Sequence, residues 1–269
     1  LHVAGEAAYI DDLPELAGTL HAALGLSPVA HGRLTGMKLD RVRAMPGVLA
    51  VLSAADIPGH NDCGAILHDE PILAHVAADA DGNLTGELRY LGQPVFAVIA
   101  QTRDARPARY VVPPMHLTRS TRDGGARAAI DAAPHRLTGS LEVGGQEQFY
   151  LEGQISYAVP LEDDGMLVHC STQHPSEMQH LVANALQLSS HQVQVVCRRM
   201  GGGFGGKESQ SAPFACIAAV AARRLNRPVK LRLDRDDDFM ITGRRHCFWY
   251  EFEAGYDDDG RLLGTEVTM

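Results

Sequence analysis

The chain has 269 residues, 45% hydrophobic and 21% charged content and a formal net charge of −9, enough apolar sequence for a large core in one or two domains and too much for dominant disorder. The acidic balance, with no basic cluster interleaved with aromatics, excludes nucleic acid and anionic membrane as partners, and no apolar run reaches the length that crosses a bilayer. The five cysteines, Cys63, Cys170, Cys197, Cys216 and Cys247, form no C-x-x-C pair; that argues against a zinc knuckle, an iron–sulfur cluster or a disulfide framework and fits a reducing cytoplasm.

Residues 1 to about 101 hold short β-like runs between turns, TLHAALGLS, GVLAVLSAADI and LGQPVFAVIAQ. Val95 to Ala100 is apolar throughout, the pattern of a strand buried on both faces. Arg103 to Gly125 is rich in Arg, Pro and Gly, and Pro107 would break a helix there, so a linker is expected. From Leu137 the runs LTGSLEV and QISYAVP alternate as antiparallel strands do, with EDDG as a turn. Ser176 is expected to cap a helix running to about Leu186, with Glu177 in its first turn. HQVQVVCRRM reads as a strand, and SAPFACIAAVAARRLN as a buried helix with Pro213 near its start. RPVKLRLD and WYEFEAGY are further strands, giving an α+β chain in two regions. The chain opens without Met and stops at GTEVTM inside strand-like sequence, so it is expected to be a piece of a longer polypeptide.

The stretch CRRMGGGFGGKESQ, Cys197 to Gln210, admits three readings. Gly201, Gly206 and Lys207 fit the phosphate-loop pattern, but Glu208 stands where a hydroxyl should coordinate magnesium, and a carboxylate there would repel a nucleotide. Gly201, Gly203 and Gly206 also satisfy G-x-G-x-x-G, a cheap match among so many glycines, with Asp234 ending the next strand as a dinucleotide fold would want. A tight turn without ligand needs no site at all. The third reading uses every residue: glycines bring backbone N–H groups close to a ligand, Phe204 is planted among them, and Glu208, at the start of the following helix, offers a carboxylate to a pocket. Other polar groups carry less. His68 to Pro71 reads as a loop rather than a metal cluster; Asp234 to Asp238 lacks the spacing and glycine of a calcium loop and reads as a solvated turn; His174 and His180 share no helix face.

RRMGGGFGGKES, GGQEQFYLEGQ, STQHPSEMQHLV, LDRDDDFMITGRRH and NDCGAILHDEP occur together and in order, and at these residues the chain resembles the molybdenum-cofactor subunit of bacterial xanthine dehydrogenases, in the molybdenum hydroxylase family. The resemblance covers nearly the whole chain. It implies a small α/β hammerhead domain over 1–115, a linker over 116–135, and over 136–269 the first part of an α+β molybdopterin-binding domain. It places Gly203, Phe204, Gly205 and Gly206 at the cofactor, with Phe204 and the Gln173 amide against the molybdenum centre, Gln173 hydrogen-bonding an oxygen ligand of the metal. Glu208 matches the carboxylate that binds the purine ring and stabilises charge developing on it; aldehyde oxidases usually carry an apolar residue there, so a purine is favoured.

The reaction so implied is hydroxylation of xanthine or hypoxanthine to urate, with electrons leaving through 2Fe-2S clusters and FAD on a partner subunit or domain to NAD. A hetero-oligomer in cytoplasmic purine catabolism is expected. The pterin dithiolene holds the metal, so unpaired cysteines are no objection; most are expected to be buried small hydrophobes. The family's general-base Glu and purine-binding Arg are expected beyond the chain end, so the 269 residues alone should not turn over purine, and detecting cofactor-dependent xanthine oxidation by them would overturn that. Near 104–112 the family pattern is shortened, which would leave a sheet edge exposed. Another molybdenum hydroxylase, acting on an aldehyde or N-heterocycle, a nucleotide-binding protein using Lys207, and a non-catalytic interaction module are the alternatives.

Overall fold

A computed structural model describes residues 4–64, 68–102 and 125–268. The shortened stretch near 104–112 and residues 116–124 of the expected linker lie outside the described residues. The fold is α+β, in two compact units: Leu1–Val112 with Gln148–Gly243, and Pro113–Glu147 with Arg244–Met269.

In the first unit the strands before residue 103 are β1 (Leu20–Leu26), β2 (Gly32–Met37), β3 (Val48–Leu52), β4 (Val76–Ala78), β5 (Leu84–Leu88) and β6 (Pro94–Ala100), with a one-turn helix α1 (Asp40–Arg43) before β3. Helix α2 (Gly125–Ala132) and strand β7 (His135–Val143) belong to the second unit. The first unit resumes with β8 (Ile155–Pro160), β9 (Met166–Cys170), α3 (Pro175–Leu186), β10 (Val193–Val196), α4 (Ala212–Leu225), β11 (Val229–Arg232) and α5 (Arg235–Ile241). One seven-stranded sheet runs β10-β9-β8-β11-β1-β6-β3, so strands from both ends of this unit's sequence share a single sheet through the parallel β1–β11 pair. The other parallel pair, β9 and β10, is bridged by α3, the crossover that parallel pairing demands. β6 is buried along its length except for half-buried Phe96, as its apolar run predicts. Across the β1–β6 pair, Gly25 leaves room for the Phe96 ring, which a Cβ would approach to 2.1 Å. Strands β2, β5 and β4 form a second, three-stranded sheet over a smaller apolar cluster that includes Val76, Leu84 and Leu88.

The main core lies where α4 packs on β8, β9, β11 and α3. Ten residues of α4 are buried, most of them alanines that let the helix sit close to the sheet around one large side chain, Phe214. Two starts differ from expectation. Helix α3 begins at Pro175, whose fixed φ suits the first helical position, so Ser176 lies inside the helix and His174 occupies the cap without a side-chain bond to the helix backbone, its ring instead meeting the Glu177 carboxylate at 2.5 Å. The Asp234–Asp238 run is the start of α5, not a solvated turn: the Asp234 carboxylate accepts from the Asp237 N–H at 3.0 Å, and Asp238 turns inward. Cys63, Cys170 and Cys216 are buried and Cys197 and Cys247 half-buried, all as free thiols.

The second unit holds α2 (Gly125–Ala132), β7 (His135–Val143), β12 (Phe248–Tyr256) and β13 (Leu262–Thr268), with sheet order β13-β12-β7. Helix α2 falls where the sequence reads as linker; it seats on Gly255 and Gly264, paired in register, buries Ile130 completely, and is tied to the sheet by an Arg127–Glu253 ion pair of 2.6 Å.

Candidate cofactor and substrate site

The glycine stretch connects β10 to α4 and folds over the irregular strip Phe149–Gln154 that leads into β8. The strip clamps it at both ends. The Glu152 carboxylate accepts from the Gly201 N–H at 2.9 Å, while the Glu152 N–H donates to Gly201 O at 3.1 Å. At the far end Gln154 Nε2 donates to Gly206 O at 2.9 Å and to the Tyr150 hydroxyl at 3.0 Å. Glycine is required by proximity: a Cβ would come within 2.5 Å of Glu152 Cβ at Gly201 and within 2.8 Å of the Tyr150 ring at Gly206. Tyr150 in turn donates to Asp238 at 2.7 Å, and the same carboxylate accepts from the Gln154 N–H at 2.7 Å. Burial, then the Asp238 carboxylate, pushes the Tyr150 phenol up, so it stays a neutral donor.

Gln173, three residues past β9, is drawn into this loop. Its Oε1 accepts from the Gly205 N–H at 2.9 Å and the Lys207 N–H at 3.2 Å, which fixes the amide orientation and leaves Nε2 without a protein partner among the described residues. Gly203 makes the approach possible, since a Cβ there would lie 2.6 Å from Gln173 Oε1. The N–H groups of Gly202, Gly203 and Phe204 likewise find no acceptor among the described residues.

Phe204 holds φ 53° and is 60% exposed; Phe149, on the strip, holds φ 50° and is 64% exposed. Aromatics held in the left-handed region mark strain of the kind that collects at functional sites. The site residues therefore divide: Gln173, Gly203, Gly205 and Lys207 meet, Phe204 and Glu208 stand exposed on the same loop, and Gly206 faces the strip. Glu208 has no hydrogen bond or ion pair among the described residues, and it precedes α4 by four residues rather than starting it.

Lys207 points inward. It is fully buried, with Nζ donating to Glu152 O at 2.6 Å and Ser171 Oγ at 2.8 Å, 3.7 Å from the Glu152 carboxylate and 4.5 Å over the Tyr150 ring. Burial pulls its pKa down, against the opposing pull of Glu152 and Asp238. A phosphate-loop lysine must reach the phosphates, so this placement disposes of the nucleotide reading. The strip lies in the motif GGQEQFYLEGQ, but the sequence reading gave Tyr150, Glu152, Gln154 and Ser171 no role and took Asp238 for part of a solvated turn, although Glu152 and Gln154 sit at alternate positions directly before an apolar strand.

Among the described residues no three His, Cys, Asp or Glu side chains gather to hold a metal ion, and His68 instead bonds Asp62 at 2.8 Å. The loop offers N–H and amide donors, which suit a group recognised through its oxygen and sulfur atoms and carrying its own metal ligands. A family model described as the molybdopterin cofactor-binding domain matches residues 109–269, and one described as the aldehyde oxidase and xanthine dehydrogenase a/b hammerhead domain matches residues 4–112.

The chain belongs to the molybdenum hydroxylase family of aldehyde oxidases and xanthine dehydrogenases. It is 38% identical to xanthine dehydrogenase of Calliphora vicina over 98% of this chain and 20% of that protein, and 34% identical to aldehyde oxidase 2 of Cavia porcellus over 99% and 21%. It spans about a fifth of the length of these curated relatives. Quinoline 2-oxidoreductase from Pseudomonas putida 86 shares the fold, with a TM-score of 0.71 at 23% identity over 99% of this chain and 37% of that one.

Proposed function

We propose that this chain is part of the molybdenum-cofactor subunit of an enzyme that hydroxylates xanthine or hypoxanthine, passing electrons through iron–sulfur and FAD centres of a partner to NAD. The observation that carries the reading is two unspent groups at one loop: the Gln173 amide, docked on the loop by its oxygen so that its N–H donors stay without a protein partner among the described residues, and the exposed Glu208 carboxylate of the loop itself. The bound molybdenum–molybdopterin supplies two-electron oxidation chemistry that no side chain here could supply.

Around it, Gln173 Nε2 and the N–H groups of Gly202, Gly203 and Phe204, which have no protein acceptor among the described residues, would donate hydrogen bonds to the anionic cofactor. Phe204 presents an apolar face that excludes water and orients a flat ring. Glu208 hydrogen-bonds the purine ring and stabilises charge developing on it, which favours the transition state over the ground state. A second reading, oxidation of an aldehyde or another N-heterocycle, draws on the similarity to aldehyde oxidase 2.

The test is the molybdenum and pterin content of the complex purified from its native source, followed by turnover of xanthine against benzaldehyde. One molybdenum per chain with xanthine preferred is expected; a loaded complex preferring benzaldehyde would move the assignment to the second reading. A complex without molybdenum, from cells that load other molybdenum enzymes, would refute both.

A further inference from the structure

Lys207 touches three consecutive residues beyond β9: its Nζ donates to Ser171 Oγ (2.8 Å), its carbonyl accepts from Thr172 Oγ1 (3.1 Å) and from the Gln173 N–H (2.8 Å), and its own N–H donates to Gln173 Oε1 (3.2 Å). The same ammonium reaches the strip through Glu152 O at 2.6 Å. The Glu152 carboxylate closes the circuit by accepting from Ser171 Oγ at 2.7 Å and the Gly201 N–H at 2.9 Å. Three segments that share no regular ladder thus meet at one side chain.

We propose that Lys207 is a positioning residue: its buried ammonium locks the strip to the end of β9, and through that lock it fixes where the Gln173 amide points. A well-packed apolar side chain of similar volume would commonly give equal or greater stability than a buried ion pair. What the ammonium adds is direction, because its donors must meet Glu152 O and Ser171 Oγ at fixed angles. A methionine in its place would leave the segments in contact and free to slide. Gly203 leaves no slack for sliding, since a Cβ there would already overlap the Gln173 amide.

The inference rests on the molybdenum hydroxylase reading and is tested in the full-length complex with its partner subunits. The paired variant Lys207→Met with Glu152→Gln removes one buried charge of each sign, so the net charge around Asp238 is unchanged; it is compared with Gln173→Ala and with the triple variant. A positioning role predicts that kcat falls about 10- to 100-fold with KM little changed, as for losses of groups that orient metal-site ligands. It also predicts that the molybdenum(V) EPR signal shifts towards that of Gln173→Ala, and that the triple variant is no worse than Gln173→Ala alone, because both changes remove one effect. Hydrogen exchange at Gly205 and Lys207 should accelerate even in cofactor-free complex, since both N–H groups depend on Gln173 Oε1.

Wild-type kcat, EPR signal and exchange in the paired variant, or a triple variant whose losses multiply, would overturn the proposal. Should the paired variant fail to fold, Ser171→Ala removes one link of the circuit: faster exchange at Gly205 supports the lock, and unchanged exchange overturns it. A wild-type complex without molybdenum would refute the functional reading, yet exchange at Gly205 would still report whether Lys207 holds Gln173.

Discussion

Gly203→Ala separates close packing from backbone strain, because Gly203 has an ordinary φ and its only difficulty is space. The added Cβ would sit 2.6 Å from Gln173 Oε1, 2.7 Å from its Cδ and 2.8 Å from its Cγ. Van der Waals contact requires the amide to withdraw by roughly 0.8 Å, which breaks its bonds to the Gly205 and Lys207 N–H groups and leaves the latter buried without an acceptor. Overpacking and one unsatisfied donor together cost about 1–3 kcal/mol of stability. A displacement near 1 Å in a positioned group costs about 100-fold in rate. Gly47→Ala is the control: nothing lies within 4 Å of its Cβ, but φ is +84°, so it costs about 1–2 kcal/mol through the backbone alone. Thermal unfolding, pterin content and kcat of the holoenzyme should show similar stability losses in the two variants and a large kcat loss in Gly203→Ala only. Wild-type kcat in Gly203→Ala, or equal kcat losses in both, would refute the reasoning.

Asp238→Ala should destabilise the protein by about 3 kcal/mol in urea unfolding, because the Tyr150 hydroxyl and the Gln154 N–H lose a charged acceptor in the interior; a change below about 1 kcal/mol would mean that water replaces the carboxylate. Phe214→Ala, in the fully packed core under α4, should cost about 3–5 kcal/mol by the same measurement, and a smaller loss would show that the alanine-rich helix collapses into the space. Alkaline pH should unfold the chain. Burial raises the thiols of Cys63, Cys170 and Cys216, Cys170 to about 12 from an ordinary 9.0, so above pH ~9 the unfolded chain releases protons that the folded one keeps. Stability is then full below that pH and falls by about 1.4 kcal/mol per pH unit for each buried thiol up to pH ~12. Lys207, lowered by burial, works in the opposite sense. Urea midpoints at pH 8 and 10 check this, and Cys170→Ala should flatten the decline; an identical decline in that variant would refute the assignment to buried thiols.

Elements with a decisive pattern were legible in the sequence. The unbroken apolar run of β6, the alternation in β8 and the alanine-rich face of α4 each permit one structure, and each formed where its residues indicate. Strands β2 and β5 were not legible, because GRLTGM and LTGEL lie in a partly exposed sheet where glycine and polar residues blur the alternation. The three acids of α5 show a different limit: composition favours a solvated run, and only the helical turn that Asp234 caps decides that Asp236 faces water while Asp238 is buried.

The glycine stretch shows why local sequence alone left three readings open. A phosphate loop and this loop share spacing, strand and helix, and differ in where one ammonium goes. That is settled by residues some fifty positions earlier, since the Glu152 carbonyl and carboxylate draw Lys207 inward. With its lysine committed beneath it, the loop turns a donor-rich surface outward that carries the exposed Glu208 carboxylate, which has no hydrogen bond or ion pair among the described residues. A nucleotide triphosphate would meet a carboxylate without a compensating cation there, whereas a neutral heterocycle with an N–H to donate meets its acceptor. The same residue that spoils the phosphate pattern therefore carries the proposed substrate preference, and replacing Glu208 should change which ring is oxidised before it changes how tightly the cofactor is held.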